Sequence, residues 1–279
     1  MSQAAQAIHE QVKAAIASDE LDLPTLPEVA LRIREVADDD DVSAGALVEV
    51  VADDPSLSAQ LVKLANSPMF RATRPIEDLH MAISRIGVVY AANVATGLAM
   101  QQMFQATSDM IDRKMRETWN HATQVAAIAG VLAKHYTDLS PDQATLGGLL
   151  HNIGVLPILS WAEEHSRLIP DSMTLDKVIE SQHGSLGTMI LTSWEFPVEI
   201  ASIPNNYLNW DRTNSDTDYV DVVIVANIQA RQGTDHPHGQ VDTGNIGAFD
   251  NLGLNADDDA EAEEDLSAEL EAAMAVFKT

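Results

Sequence analysis

Residues 52–70 read ADDPSLSAQLVKLANSPMF and contain the start, the apolar face and the end of one helix. Asp54 is typical of a helix N-cap, and Pro55 is typical of the first helical position, where its missing N–H leaves no hydrogen bond unmade. Pro68, after Asn66 and Ser67, predicts the end of the helix. Leucines recur on one face between these signals, at Leu57, Leu61 and Leu64. This spacing predicts a helix that buries its leucine face.

Helical spacing continues on both sides of this stretch. A second helix is predicted from Ile76, and Ser140-Pro141-Asp142 predicts the start of another. Residues 220–226, VDVVIVA, resemble a strand, but the helical composition around them favours a helix. Residues 23–27, LPTLP, predict extended backbone, because each proline disfavours helical conformation in the residue before it. The chain therefore predicts an all-α fold.

The composition excludes several kinds of site. A chain of 279 residues with 46% hydrophobic content is long enough and apolar enough to fold as a globule. It contains no cysteine, which excludes disulfides, thiolate zinc sites and cysteine nucleophiles and favours a reducing cytoplasm. Any metal would have to be held by His, Asp or Glu side chains.

The charge of the chain argues against two classes of partner. Sixteen Lys and Arg against 43 Asp and Glu give a formal net charge of −27. Such a surface repels nucleic-acid phosphates and anionic lipid, so we expect no nucleic acid and no membrane partner. A solvated acidic surface accounts for the charge, and a specific basic protein partner is the alternative.

Two stretches bear on localisation. The N-terminal residues lack the basic start, apolar core and cleavage site of a signal peptide. Residues 144–162 carry no formal charge, but they include two adjacent glycines, His151, Asn152 and Pro157. That polar content favours a buried helix over a membrane span, so we expect a cytoplasmic protein.

Three segments of the first half together resemble the opening half of the HDOD domain, the HD-related output domain of bacterial signalling proteins. They are residues 23–27, residues 52–70 and DLHMAISRIG at 78–87. From about Trp119 to Gly233 the chain resembles the helical core of the HD phosphohydrolases. The resemblance covers about residues 15–235 and implies a stand-alone all-α protein with two helical lobes.

The resemblance also implies a division of the chain into three parts. Residues 1–115 would form the N-terminal HDOD lobe, and residues 116–235 a degenerate HD-like lobe. Residues 236–279 would hold the rest of a Gly- and Asp-rich loop that runs from 233 to 253, an acidic segment and a short amphipathic closing helix. The apolar face of that closing helix is predicted at Leu266, Leu270, Met274 and Phe277.

Active HD phosphohydrolases hold a divalent metal with a first His, an adjacent His-Asp pair and a later Asp. The resemblance places these at His121, at His151-Asn152 and at Asn227, so that both carboxylates have become amides. A divalent ion taken out of water needs anionic oxygen, whereas an amide offers a neutral dipole. No carboxylate remains to position an attacking water. We therefore expect a vestigial site with no metal, no cofactor and no catalytic residue.

The related HD-GYP enzymes, which cleave cyclic di-GMP, add a downstream His, a His-His pair and a GYP signature. His183 matches the downstream His, but the pair position reads Asn205-Asn206 and no GYP follows. The sequence therefore argues against that activity.

The same residues also have a structural interpretation. His121 and His183 each share a helical face with apolar residues, as hydrogen-bonded core histidines do. Gly147, Gly148 and Gly154 surround His151 and would let another helix, or a small ligand, approach its backbone. Asn152 and Asn227 could bond one another or these histidines and so satisfy the pocket without metal. A second pair of histidines, His236 and His238, lies near Asp235 and Asp242 and could bind a transition metal. Gly-rich loops of this composition are common, however, so we do not predict a metal site there.

Three hypotheses for function follow. The first is a non-catalytic signalling module that regulates signalling proteins, of unknown identity, by binding them. The second is a metal-dependent phosphohydrolase with a drifted ligand set. The third is a nucleotide-binding sensor that uses the old pocket.

Overall fold

The computed structural model describes residues 21–39, 43–67, 70, 74–166 and 171–254, together with 10, 11, 14, 15 and 18. Within these residues the regular structure is helical, with no strand. The prediction of an all-α fold with two lobes is confirmed. The acidic segment and the predicted closing helix fall in 255–279, outside the described residues.

The first lobe contains α1 to α5, followed by a 3-10 turn at Met100–Met103. The bounds are α1 Glu28–Ala37, α2 Ala44–Val51, α3 Pro55–Ala65, α4 Leu79–Ile86 and α5 Val88–Ala99. The second lobe contains the helices from α6 onward. They are α6 Asp109–Tyr136, α7 Pro141–Leu150, α8 Val155–Glu164, α9 Ser172–Ser193, α10 Val198–Ala201, α11 Ile203–Asn206, α12 Tyr219–Arg231 and α13 Gly247–Asn251.

The helix predicted in residues 52–70 is α3. The Asp54 carboxylate accepts hydrogen bonds from the N–H groups of Ser56 and Leu57, at 2.9 and 3.1 Å, as an N-cap should. All three of the predicted leucines are buried. Asn66 then fixes the following chain, because its side chain donates to the carbonyl of Ile76 and accepts from the N–H of the same residue.

The predicted start of the next helix at Ile76 was wrong by three residues. Helix α4 begins at Leu79, because the Asp78 side chain caps it by accepting from the N–H of Met81. The backbone of Ile76 is instead hydrogen-bonded to the side chain of Asn66.

Two further predictions had different outcomes. Residues 220–226 lie within α12, so the preference for helix over strand was correct. The predicted long loop at 233–253 was wrong in part, because it contains short 3-10 helices at Pro237–Gly239 and Thr243–Asn245 and then α13. Helix α13 forms because Ala248 and Phe249 bury their side chains in the core.

The two lobes share one hydrophobic core. Helix α5 packs against α7, where Gly97 lies against the side chain of Leu149. At another contact Arg34 of α1 donates to the carbonyls of Trp194 and Glu195, at 2.6 and 3.0 Å. The predicted lobe boundary at 115/116 falls inside α6 and stays a prediction.

The uncharged stretch at 144–162 is a buried part of this core. The helical segment Pro141–Glu164 is long and apolar enough to cross a membrane by composition, but 89% of its most apolar window is buried inside the protein. Core helices of globular proteins have this character.

Two glycines set the spacing of the helices around the turn that joins α7 to α8. A Cβ on Gly148 would lie 2.6 Å from Cα of Ala126, so α6 and α7 meet backbone to backbone there. A Cβ on Gly154 would lie 1.9 Å from the carbonyl oxygen of His183 on α9. Close helix packing, the structural use expected for these glycines, is what the structure shows. Both contacts bring the histidine-bearing segments together.

We predict that Gly148→Ala destabilises the protein by about 2–3 kcal/mol, because the added methyl group forces α6 and α7 apart. Urea unfolding of the two proteins measures the difference. Gly45→Ala in α2 is the control: its Cβ would meet nothing closer than 3.8 Å, so it should leave stability equal or raise it by up to about 1 kcal/mol. Equal effects of both substitutions would contradict the close approach.

Candidate functional site

A cavity of about 460 Å³ in the second lobe is lined by five of the seven residues that the sequence singled out. They come from four places in the chain: His121 from α6, His151 and Asn152 from the turn after α7, His183 from α9, and Asn227 from α12. Asn205 and Asn206 are not among the lining residues, and Asn205 is exposed. Tyr207, next in sequence, takes part in the lining instead.

Each of the two amide side chains, Asn227 and Asn152, is hydrogen-bonded through one of its two polar atoms. Nε2 of His121 donates to Oδ1 of Asn227 at 2.8 Å, a buried bond between residues 106 positions apart. Nδ2 of Asn152 donates to the backbone carbonyl of Thr118 at 3.1 Å. The expectation that an amide would bond a pocket histidine is therefore met by Asn227, while Asn152 bonds the backbone of α6.

Backbone carbonyls fix the tautomers of the other two histidines. Nδ1 of His151 lies 2.6 Å from the carbonyl of Gly148, and Nδ1 of His183 lies 2.6 Å from that of Ile179. A carbonyl accepts and cannot donate, so each Nδ1 carries the proton. Nε2 of His183 then accepts from the Tyr207 hydroxyl at 2.7 Å, and Nε2 of His151 has a free lone pair.

Tyr207 lies between two of the histidines. Its ring centroid is 4.8 Å from that of His151 and 5.6 Å from that of His183, both in edge-to-face contact. The rings of His121 and His151 meet edge to face at 5.5 Å. The aromatic side chains therefore pack against one another, as in a core.

The histidines of the cavity are uncharged near neutral pH. Burial, with a smaller contribution from the charge of Arg231, lowers the pKa of His121 to about 3. Burial also lowers the pKa of His151 well below its usual value and lowers that of His183. Burial raises the pKa of Tyr207, which keeps its hydroxyl protonated as a donor.

These side chains do not fit the divalent metal that the HD fold implies. Across the described part of the chain, no group of three or more His, Asp or Glu side chains is placed to hold a metal ion. Nε2 of His121 and of His183 are both bonded to other side chains. His236 and His238 lie beside each other at the cavity rim, with ring centroids 4.7 Å apart, and also form no such group.

Comparison with known proteins gives the family. The HDOD domain profile matches residues 23–207, which is most of the chain. The chain belongs to the HDOD domain family. The crystal structure of a protein provisionally named a metal-dependent phosphohydrolase, from Shewanella amazonensis SB2B, has a TM-score of 0.87 and 27% identity and covers 100% of both chains.

Two other relatives of this HDOD protein are longer chains, of which the match covers only part. One is the structure of a protein provisionally named a signal transduction protein, from Marinobacter aquaeolei VT8, with a TM-score of 0.63 and 25% identity; the match covers 98% of this chain and 65% of that one. The other is an uncharacterized protein of Treponema pallidum (strain Nichols), 26% identical over 201 residues, or 67% of this chain. The matched segment spans 38% of the length of that relative.

Sequence reasoning missed two residues of the HDOD pocket. Tyr207 follows the Asn205-Asn206 pair and gave no signal of its own. Arg231 lies one helical turn after Asn227 on α12 and lines the same cavity, so its spacing from Asn227 could have identified it. No salt bridge joins Arg231 to an acidic side chain among the described residues, and burial lowers the pKa of its guanidinium.

Four buried polar atoms of the pocket lack a hydrogen-bond partner among the described residues. They are Nε2 of His151, Oδ1 of Asn152, Nδ2 of Asn227 and Nε of Arg231. Each buried atom of this kind costs roughly 1–3 kcal/mol if nothing bonds it. We call the part of the cavity formed by His151, Asn152 and Asn227 its floor. The floor is uncharged, and each of these side chains leaves one hydrogen-bonding atom unpaired.

We predict that the protein loses stability as the pH falls from about 7.5 to about 5.5. The unfolded histidines protonate below about pH 6.5, whereas the three buried ones stay neutral, so stability is lost from there down towards pH 3. The expected loss is about 1 kcal/mol from His121 alone, and His151 and His183 add to it; urea unfolding at the two pH values measures the total.

Two variants test the origin of that loss. His121→Gln should reduce it by about 1 kcal/mol, because the contribution of one histidine with a lowered pKa is gone. His80→Gln, at an exposed position, should leave it unchanged. Stability that stays constant or rises over this pH range would contradict the neutral histidines.

Proposed function

We propose that this HDOD protein is a non-catalytic signal-transduction module that acts by binding other proteins in the cytoplasm. The observation that carries the proposal is the bond between Nε2 of His121 and Oδ1 of Asn227. It joins two of the four vestigial metal positions to each other, so that Nε2 of His121 and Oδ1 of Asn227 need no metal.

The chemistry of the pocket supports a non-catalytic role. Phosphate-ester hydrolysis needs a metal or a general base to activate water. Burial lowers the pKa of the buried histidines, which makes each of them a weak base, and in two of them Nε2 is already engaged. The carboxylates of the cavity, Glu117, Asp176 and Glu180, do not assemble into a group that could hold a metal, and Asp176 pairs with Lys114.

A phosphohydrolase remains the second candidate, because the Shewanella protein that resembles the whole chain carries that name. It requires a ligand set that includes His121, His151, His183 and a carboxylate. The two candidates differ in metal dependence and turnover.

A protein partner is supported by the family and by the charge. The Marinobacter relative is named for signal transduction. A net charge of −27 favours a partner with a basic surface, and such pairs associate fast and weaken with salt. Seven carboxylates within residues 257–265 concentrate part of that charge.

We predict that the purified protein releases no phosphate from phosphomonoesters or nucleotides above a blank, with or without added Mn²⁺. The reason is the missing carboxylate pair, without which neither metal nor attacking water is positioned. A phosphate-release assay measures this, and metal-dependent turnover that His121→Gln abolishes would contradict the proposal.

The binding half of the proposal is tested by capture from an extract of the native cell. The protein as bait should retain a defined signalling protein, and retention should fall as sodium chloride is raised. An unrelated bait of equal negative charge is the control. Retention of the same proteins by both baits, or of none by the HDOD protein, would contradict a specific partner.

A further inference from the structure

The unpartnered atoms of the HDOD pocket form a defined hydrogen-bonding pattern. Nε2 of His151 is an acceptor, because its other ring nitrogen donates to Gly148. Oδ1 of Asn152 is an acceptor, because the other end of that amide donates to Thr118. Nδ2 of Asn227 is a donor, because the Oδ1 end bonds His121. A complementary ligand therefore presents two donors and one acceptor.

The floor selects against charged ligand groups. A phosphate or carboxylate placed there would face the two lone pairs of His151 and Asn152, and it could bond just one of the three floor groups. An ammonium group would lie in a buried site with no carboxylate beside His151, Asn152 and Asn227 among its unpartnered atoms, and with Arg231 nearby. The floor thus fits an uncharged edge with N–H donors beside a carbonyl.

The walls of the cavity fit a flat ring. They include the side chains of Tyr207, Val155, Ile179 and Leu208, which pack well against a heterocycle. A volume of about 460 Å³ lies in the range of small-molecule sites and accommodates a nucleoside. Arg231 stands on the wall with its buried Nε–H unpaired, and so adds a donor for a ribose or phosphate oxygen.

We propose that this pocket binds a guanine nucleoside or its monophosphate. The Watson–Crick edge of guanine carries two N–H donor positions and one carbonyl acceptor, which is the complement of the His151, Asn152 and Asn227 atoms. Arg231 contacts the sugar or the phosphate. The assignment goes beyond the proposed function, since a ligand in the pocket and a partner on the surface are separate properties.

The carboxylates among the lining residues restrict the charge of the ligand. Glu117, Asp176 and Glu180 outnumber Lys114 and Arg231, and Lys114 is paired with Asp176. A triphosphate would meet this excess of negative charge. Guanosine and GMP should therefore bind more tightly than GTP.

The test is calorimetric titration of the full-length protein, in EDTA, with GMP, IMP and AMP. GMP should bind about ten-fold or more tightly than either, because IMP lacks the exocyclic amino donor and AMP lacks the carbonyl and the ring N–H. Guanosine and GTP, titrated in the same way, test the contribution of the phosphate. These comparisons use the wild-type protein, so they do not depend on the folding of a variant.

Two variants test the residues. Asn152→Leu, which removes one acceptor, and Arg231→Gln should each weaken GMP binding about ten-fold. Asn206→Ala and Arg116→Gln are the matched controls, since neither residue lines the cavity. Circular dichroism of each variant checks its fold.

The outcomes separate this inference from the proposed function. No heat with GMP would overturn the ligand site, since water alone then satisfies the floor atoms. Equal affinity for GMP, IMP and AMP would overturn it as well, as would GMP binding that neither pocket variant weakens. Phosphate release from bound GMP on addition of Mn²⁺ would overturn the non-catalytic function but support the site.

Discussion

The close approach of α6 and α7 at Gly148 is the constraint on which the pocket depends. The two backbones meet where a side chain would collide with Ala126, and this contact sets the turn that carries His151 and Asn152 against α6. Gly154 plays the same part for α9, against the backbone of His183. Glycines at these contacts let three segments converge on one point of the core.

The convergence explains how the polar residues form a connected group in the structure. A buried amide or imidazole is tolerated when its neighbours bond it, and the bonds from His121 to Asn227 and from Tyr207 to His183 provide that. Burial keeps the imidazoles neutral, so the group needs no counter-ion. The arrangement stabilises the lobe, and it leaves unpaired atoms on the cavity side that a ligand can use.

Local sequence signals identified much of this fold, and tertiary contacts account for what they missed. Asp54 and the leucine spacing of α3 predicted its start and its buried face, because capping and periodicity act within one helix. The start of α4 was predicted three residues too early, because the Asp78 side chain caps the helix and Ile76 is hydrogen-bonded to Asn66 instead. Tyr207 joins the pocket through the packing of the chain after α11, which no local pattern contains, whereas the spacing of Arg231 from Asn227 on α12 is a local signal.

The central claim is that the two amides, Asn152 and Asn227, are what keep metal out of this pocket. The most direct measurement is the Mn²⁺ affinity of the double variant Asn152→Asp with Asn227→Asp, titrated beside the wild type. The account predicts a gain of about ten-fold or more, because both anionic oxygens return beside His121 and His151. The pair Asn205→Asp with Asn206→Asp adds the same charge outside the cavity and should give no gain. Equal affinity in the two double variants, or tight metal binding by the wild type, would contradict the account.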